Sequence, residues 1–336
     1  MPTRRFALVA ALVVALGLAA AIALAQGGGQ REALTIYSGR TENLVGPLLE
    51  RFHDETGVPI DVKYGDSAEL ALLIDAEGAR TPADVFYSQS PGATGFLAGQ
   101  ERLAPLPAEV LARVDPRFRN RAGGWVGVTG RQRVLVYNRD LVSETQLPAS
   151  VLDLTDPRYA GKVALAPDNG SFQDFVTAMR QLHGDDPAAR WLRAMADNDS
   201  PTYPNNNAIV EAVGRGEVPM GLANHYYNHR FLQEDPARPS RNHVFSGGDI
   251  GALVIPSPVS VVAGTDQPEA ARRFVEYLLS ADAQRYFAAE TFEYPLAAGV
   301  APAADLPALE TLQVPAYDFD DLGGGRPRAG RCPRRR

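Results

Sequence analysis

Between residues 34 and 92 short apolar runs alternate with amphipathic segments, and this alternation constrains the fold more than any other feature. Residues 34–37 read as a strand ending in the polar turn Ser38-Gly39-Arg40-Thr41. Residues 43–56 then place Leu44, Leu48, Leu49 and Phe52 at helical spacing. Gly57 stops that helix, 58–63 read as the next strand, and 67–77 form a second helix closed by Gly78. A third strand at 83–87 runs into a loop at 88–92. Strands that alternate with helices make a mostly parallel α/β sheet, and ligands of such sheets sit outside the carboxyl ends of the strands. Thr41 and Gln89 fall at two such ends, either facing a cleft or solvating a loop.

The same grammar continues further on. Residues 125–128 lead through Thr129-Gly130-Arg131-Gln132-Arg133 into an apolar run at 134–137, which reads as a strand crossing between two lobes. Arg131 and Arg133 share one parity there; they either hold an anion by bidentate bonds or pair with surface carboxylates. A strand at 163–166 and the turn Asp168-Asn169-Gly170-Ser171 precede a helix at 172–182, so Asn169 to Ser171 form an amide-rich helix start suited to an anion. Another helix is expected at 188–195. Asn205-Asn206-Asn207 precede one at 208–214, where N-capping explains a single asparagine of the three. Residues 251–255 and 259–263 read as two strands, the second leading back to the first lobe, and helices follow at 268–279 and 281–290.

The chain opens with Arg4 and Arg5, an apolar run at 6–25 and small residues before a glycine cluster, the pattern of an export signal. Left uncleaved, that run is long enough to act as a membrane anchor. The only cysteine is Cys332, so an intramolecular disulfide is excluded and stability rests on packing. The net charge of −7 argues against nucleic acid as a partner. Residues 322–336, rich in Gly, Arg and Pro, lack apolar periodicity and read as an aberrant, disordered tail.

The chemistry concentrates at Asn224-His225-Tyr226-Tyr227, between the apolar run 218–223 and a polar helix-like segment expected to begin near Asn228. Two adjacent tyrosines are either core filler or ligands. At a strand end both phenols can turn to one cleft, and a trivalent metal can deprotonate a phenol whose free pKa is about 10. His225 beside them reads as a packing residue, as do Tyr37 and Tyr87. There is no Ser-His-Asp arrangement, no His-x-x-x-His pair and no carboxylate cluster at metal spacing, and His183, His229 and His243 are scattered. These absences argue against an enzyme.

Taken together, residues 36–40, 81–87, 130–134, 216–219, Asn224-His225-Tyr226-Tyr227, 251–254 and Glu293-Tyr294-Pro295-Leu296 resemble the periplasmic ferric-iron-binding proteins. These are solute-binding proteins that feed ABC transporters. The resemblance implies a two-lobed periplasmic binding protein fold of type II, with hinge strands and an interlobe cleft. It divides the chain into a signal segment at 1–25, a first lobe at 33–133 and 257–307, and a second lobe at 134–256. It assigns Fe(III) as cargo to Tyr226 and Tyr227, and a synergistic anion to Asn224, Asn206, Asn169, Gly170 and Ser171, with Arg131 the further anion candidate.

Two positions depart from the family's pattern. Thr41 stands where well-known members carry a histidine ligand, and Gln89 where they carry a glutamate; Phe172 stands where other subgroups add a third tyrosine. The resemblance then implies either iron completed by phosphate, carbonate or citrate, or a cargo changed to another anion, organic ligand or metal complex. The implied partner is an ABC permease, the implied state a monomer, and the implied location the periplasm or the outer face of the cell envelope.

Overall fold

The computed structural model describes residues 33–322, so the expected signal segment and residues 323–336 of the expected tail lie outside the described residues. Leu322 belongs to the body instead, 1% exposed beside Phe319 in the main core.

Ten strands form one mixed sheet: β1 Leu34–Ser38, β2 Ile60–Tyr64, β3 Val85–Tyr87, β4 Leu103–Ala104, β5 Val126–Asn138, β6 Val163–Ala164, β7 Met220–Asn224, β8 Ser240–His243, β9 Val254–Val262 and β10 Tyr294–Pro295. The order along the main path is β2-β1-β3-β9-β5-β7-β6. Parallel pairing of β1 with β2 and β3 follows from the helices between them. The helix Glu42–Thr56 buries Leu44, Val45, Leu48, Leu49 and Phe52 and ends on Gly57 at φ 66°, a left-handed cap that glycine adopts without strain. The helix Ser67–Glu77 starts on Asp66, whose carboxylate accepts from the amides of Ala68 and Glu69.

Two long strands organise the rest. β5 and β9 are buried at every position, and β5 changes partners in mid-course. Its residues up to Gln132 pair with β9, whereas Arg133 onward pairs with β7 and, from Leu135, with β8. The sheet therefore has two halves joined through β5, and the switch falls at Arg131 to Arg133. The expected two-lobed α/β architecture and the crossing strand are both present.

Four readings need correction. In place of the two strands expected at 251–255 and 259–263, Ile250–Ala252 form a short 3-10 turn and a single strand, β9, begins at Val254 and continues through Pro256 and Pro258. Those prolines sit where β5 has a bulge between Gly127 and Thr129, an irregularity in the ladder that tolerates a missing N–H donor. Likewise 125–128 and 134–137 belong to one strand, because Arg131, Gln132 and Arg133 are buried rather than looped out. The loop at 88–92 gives way to the helix Pro91–Gly99, with proline at its first position. Finally, the helix expected near Asn228 is His225–Glu234 and begins directly after β7.

Candidate metal and anion site

That last shift puts Tyr226 and Tyr227 in the first turn of a helix at the carboxyl end of β7. Their rings stack with centroids 4.1 Å apart at 29°, against Val134, Val136, Ala223 and Ile209 of a smaller core cluster. Tyr226 is fully buried, yet its hydroxyl has no hydrogen-bond partner among the described residues. A buried unsatisfied polar group in a native fold calls for an explanation such as a bound ion. Burial, reinforced by Tyr227, pushes the Tyr226 phenol well above its ordinary range.

Both tyrosines line a pocket of about 100 Å³ together with Gly39, Arg40, Thr41, Asn43, Leu44, Gln89, Asn207 and Arg230. The structure thus brings Thr41 and Gln89 to the tyrosines from the other half of the sheet. Thr41 is exposed and donates to Asn43 Oδ1 at 2.6 Å. No carboxylate lines the pocket. Among the described residues no cluster of three or more His, Cys, Asp or Glu side chains is disposed for a metal.

Behind the tyrosines lies a polar network at the start of the helix Gly170–His183. Asn169 is its N-cap, and its Oδ1 accepts from the Ser171 amide at 3.2 Å and the Ser171 hydroxyl at 2.6 Å. Asn206 Nδ2 donates to both Asn169 Oδ1 and Ser171 Oγ at 3.3 Å, and Asn224 Nδ2 donates to Ser171 Oγ at 3.3 Å. Gly170 opens the helix against Ser90. Asn169, Gly170, Ser171, Asn206 and Asn224 are therefore brought together, but none of them lines the tyrosine pocket. Of the asparagine triplet, Asn205 caps the next helix, Asn206 joins the network and Asn207 reaches the pocket.

Three arginines are buried between the halves. Arg40 Nη2 meets Glu293 Oε2 at 2.7 Å, with both side chains essentially inaccessible. Burial pulls this guanidinium down, but Glu293 and then the phenols of Tyr226, Tyr87 and Tyr227 override it, and the net shift is upward. Arg131 Nη2 donates to the carbonyls of Gln89 and, at 3.2 Å, Pro256, while its Nε and Nη1 have no partner among the described residues. Arg133 Nη1 donates to Asn224 Oδ1 at 3.1 Å, and its Nη2 is unpartnered likewise. Burial, then Arg131, lowers Arg133 to about 9. Arg131 is lowered by burial and then by Arg40.

His225 is turned away from the phenol pocket. Its Nδ1 accepts from the Gln132 amide at 3.1 Å, which leaves Nε2–H to donate to the Phe292 carbonyl at 2.8 Å. Burial, with His229 nearby, holds it neutral with a pKa of about 3. Tyr37 bonds Glu77 at 3.2 Å, away from the site, whereas the buried Tyr87 hydroxyl lies close to Arg40 and makes no further hydrogen bond among the described residues. Sequence reasoning missed Arg40, Glu293, Asn43, Asn207 and Arg230. Two local signals pointed to them: Arg40 directly precedes Thr41 in the first turn, and Arg230 follows Tyr226 by one helical turn.

The sequence profile of a family described as bacterial extracellular solute-binding protein matches residues 80–323. The chain is 32% identical over 303 residues to the Fe(3+)-binding periplasmic protein of Serratia marcescens, covering 89% of each. Iron-bound HitA from Pseudomonas aeruginosa superposes with a TM-score of 0.84 at 35% identity, over 87% of this chain and 95% of that one. The Trichodesmium protein IdiA (FutA), in complex with iron and citrate ligands, gives a TM-score of 0.75 at 28% identity, over 87% of this chain and 95% of that one.

Proposed function

Because this chain belongs to the bacterial extracellular solute-binding proteins, we propose that it is an exported, monomeric receptor that captures ferric iron and passes it to an ABC permease. One observation carries the reading. Tyr226 and Tyr227 stack at the wall of an interlobe pocket, and the buried Tyr226 hydroxyl has no partner among the described residues. A phenolate is a hard oxygen donor for a hard trivalent ion, and the ion itself displaces the proton that burial holds on Tyr226. Thr41 and Gln89 bring no charge to the opposite wall. The remaining positions of an octahedral ion then fall to exogenous oxygens from phosphate, carbonate or citrate.

The network of Asn169, Gly170, Ser171, Asn206 and Asn224 fits such an anion, with Arg131 and Arg133 offering buried guanidinium N–H groups beside it. The relatives agree with this chemistry: one is described as Fe(3+)-binding, and two solved neighbours hold iron, one of them with citrate. We propose lobe boundaries at 133/134 in β5 and 256/257 in β9, close to the change of β5's partner between Gln132 and Arg133. Lobe closure excludes water and strengthens the charge interactions inside. No reaction is assigned to the site.

An optical titration with ferric citrate, with and without phosphate or carbonate, tests the reading. The expected result is a saturable tyrosinate-to-iron band at one iron per protein, lost in Tyr226→Phe and in Tyr227→Phe. No band in any buffer, together with anion binding that survives both substitutions, favours the second reading. That reading is a receptor for an anion, organic ligand or other metal complex, and the buried Arg131 and Arg133, which make no ion pair among the described residues, speak for it.

A further inference from the structure

The pocket's outer rim carries a group that the tyrosine chemistry does not use. Arg230 lies on the same helix as the tyrosines, four residues after Tyr226 and three after Tyr227, so it projects from the same face one turn further along. It is partly exposed, lines the pocket, and makes no hydrogen bond or ion pair among the described residues. Apart from the tyrosines and Arg40, the other polar side chains of the lining are Thr41, Asn43, Gln89 and Asn207, all neutral, and Thr41, Asn43 and Gln89 come from the other half of the sheet. Arg40, the other cation on the lining, is already neutralised by Glu293.

We propose that Arg230 is a specificity residue that makes the pocket favour ferric iron carried in a small anionic polycarboxylate chelate over iron in a neutral one. The proposal rests on the tyrosine-ligated ferric reading above and narrows its substrate class. Size comes first. A water needs roughly 10–15 Å³, so the four waters that would complete an octahedral ion held by two phenolates need about 40–60 Å³, and a pocket of about 100 Å³ has room for about twice that. Charge comes second. Two phenolates leave a ferric ion with one positive charge unbalanced, Arg230 adds another cation beside it, and no carboxylate lines the pocket to answer either. A chelate that brings two or more negative charges satisfies both, and a planar guanidinium matches a free carboxylate through paired N–H donors. This rim is separate from the network at Asn169 and Ser171, which does not line the pocket.

The test compares ferric citrate with the neutral tris(acetohydroxamato) iron complex as iron sources, reading the tyrosinate band in unmutated protein, Arg230→Gln and Arg230→Glu. We expect Arg230→Gln to weaken binding from ferric citrate about tenfold and Arg230→Glu to weaken it more, with a smaller effect at high salt. Binding from the hydroxamate complex should stay within about twofold. Asn43→Asp, which adds a negative charge to the opposite rim, should act in the same direction. A preserved band with an unchanged citrate-to-hydroxamate preference in Arg230→Glu and Asn43→Asp overturns this inference alone. Absence of the band from both iron sources in the unmutated protein overturns the tyrosine reading and this inference with it.

Discussion

Arg40 and Arg133 are the same residue type at the same depth, 1% exposed each, yet the fold treats them differently. Arg40 is given a carboxylate, Glu293, at 2.7 Å. Arg133 is given one amide oxygen, at Asn224, and a ring face at Phe175 5.5 Å away. The charge that raises Arg40 is resident, whereas Arg133 is pulled down by burial and by its neighbour Arg131. An unpaired buried cation is costly, and proteins normally pair it or bind a counter-charge. The difference teaches that one side of the site has its charge balance fixed by the chain, while the other, on the proposed function, would take its balance from a ligand. On that same proposal the neutral residues Thr41 and Gln89 are compatible with a tyrosine site, because anionic oxygen would arrive with the cargo.

The largest expected effect separates the two arginines directly. Arg40→Met leaves the buried Glu293 carboxyl without its partner, and loss of one member of a buried pair costs roughly 3–5 kcal/mol. Arg133→Met removes an unpaired cation and should change the stability of the cargo-free protein by no more than about 1 kcal/mol, because relief of the buried charge offsets the lost bond to Asn224. Urea denaturation without iron or added anion measures both. Equal losses in the two variants would break the comparison, and so would an Arg133→Met protein whose iron binding kept its full dependence on added anion.

A smaller effect comes from Asp174, a carboxylate that crosses between the halves. Ser90, just before the helix Pro91–Gly99, donates to Asp174 Oδ2 at 2.6 Å, and a Cβ at Gly92 would stand 2.8 Å from its other oxygen. Burial raises its pKa to about 6, against the opposing pull of the Ser90 hydroxyl, Arg131 and the Gly92 amide. The folded value lies above the ordinary one near 4, so the fold favours the protonated acid. The stability this group contributes is intact below about pH 4 and is lost as pH rises through about 6, by roughly 2–3 kcal/mol in all. Asp174→Asn lacks that loss. Its stability relative to the unmutated protein should therefore climb between pH 4 and pH 7, as read by thermal unfolding at both ends. A constant difference across that range would mean that Arg131 already holds Asp174 ionised, and that Arg131 is no less paired than Arg40.

How much of this was legible in the sequence differs between the two sides. Apolar periodicity located the helices at 42–56 and 67–77 to within a residue, because their buried faces repeat at helical spacing and glycine or aspartate marks their ends. It failed at β5 and β9, where arginines and prolines sit inside fully buried strands and local pattern reads them as breaks. The tyrosine pair was found because adjacency is a local signal. The Arg40–Glu293 pair joins residues 253 apart, and no local rule finds it. The pocket's rim was missed for a simpler reason: Arg230 and Asn43 are ordinary polar residues on helices until the tertiary fold turns them toward Tyr226.

The smallest effect tests whether the wall beside Arg40 serves the fold or the cargo. Thr41 is the N-cap residue of the helix Glu42–Thr56, but its side chain accepts no backbone amide; its hydroxyl donates only to Asn43, on the exposed face. Asp66 caps the next helix through two amide bonds. Capping therefore predicts that Asp66→Ala costs about 1 kcal/mol and Thr41→Ala a few tenths at most. If both hold in thermal unfolding, Thr41 is free of structural duty, and any change that Thr41→Ala makes to the affinity for ferric citrate belongs to the pocket. If Thr41→Ala instead destabilises as much as Asp66→Ala, the first turn is part of the scaffold that fixes Arg40 on Glu293. The neutral wall would then reflect folding rather than the charge of what is bound.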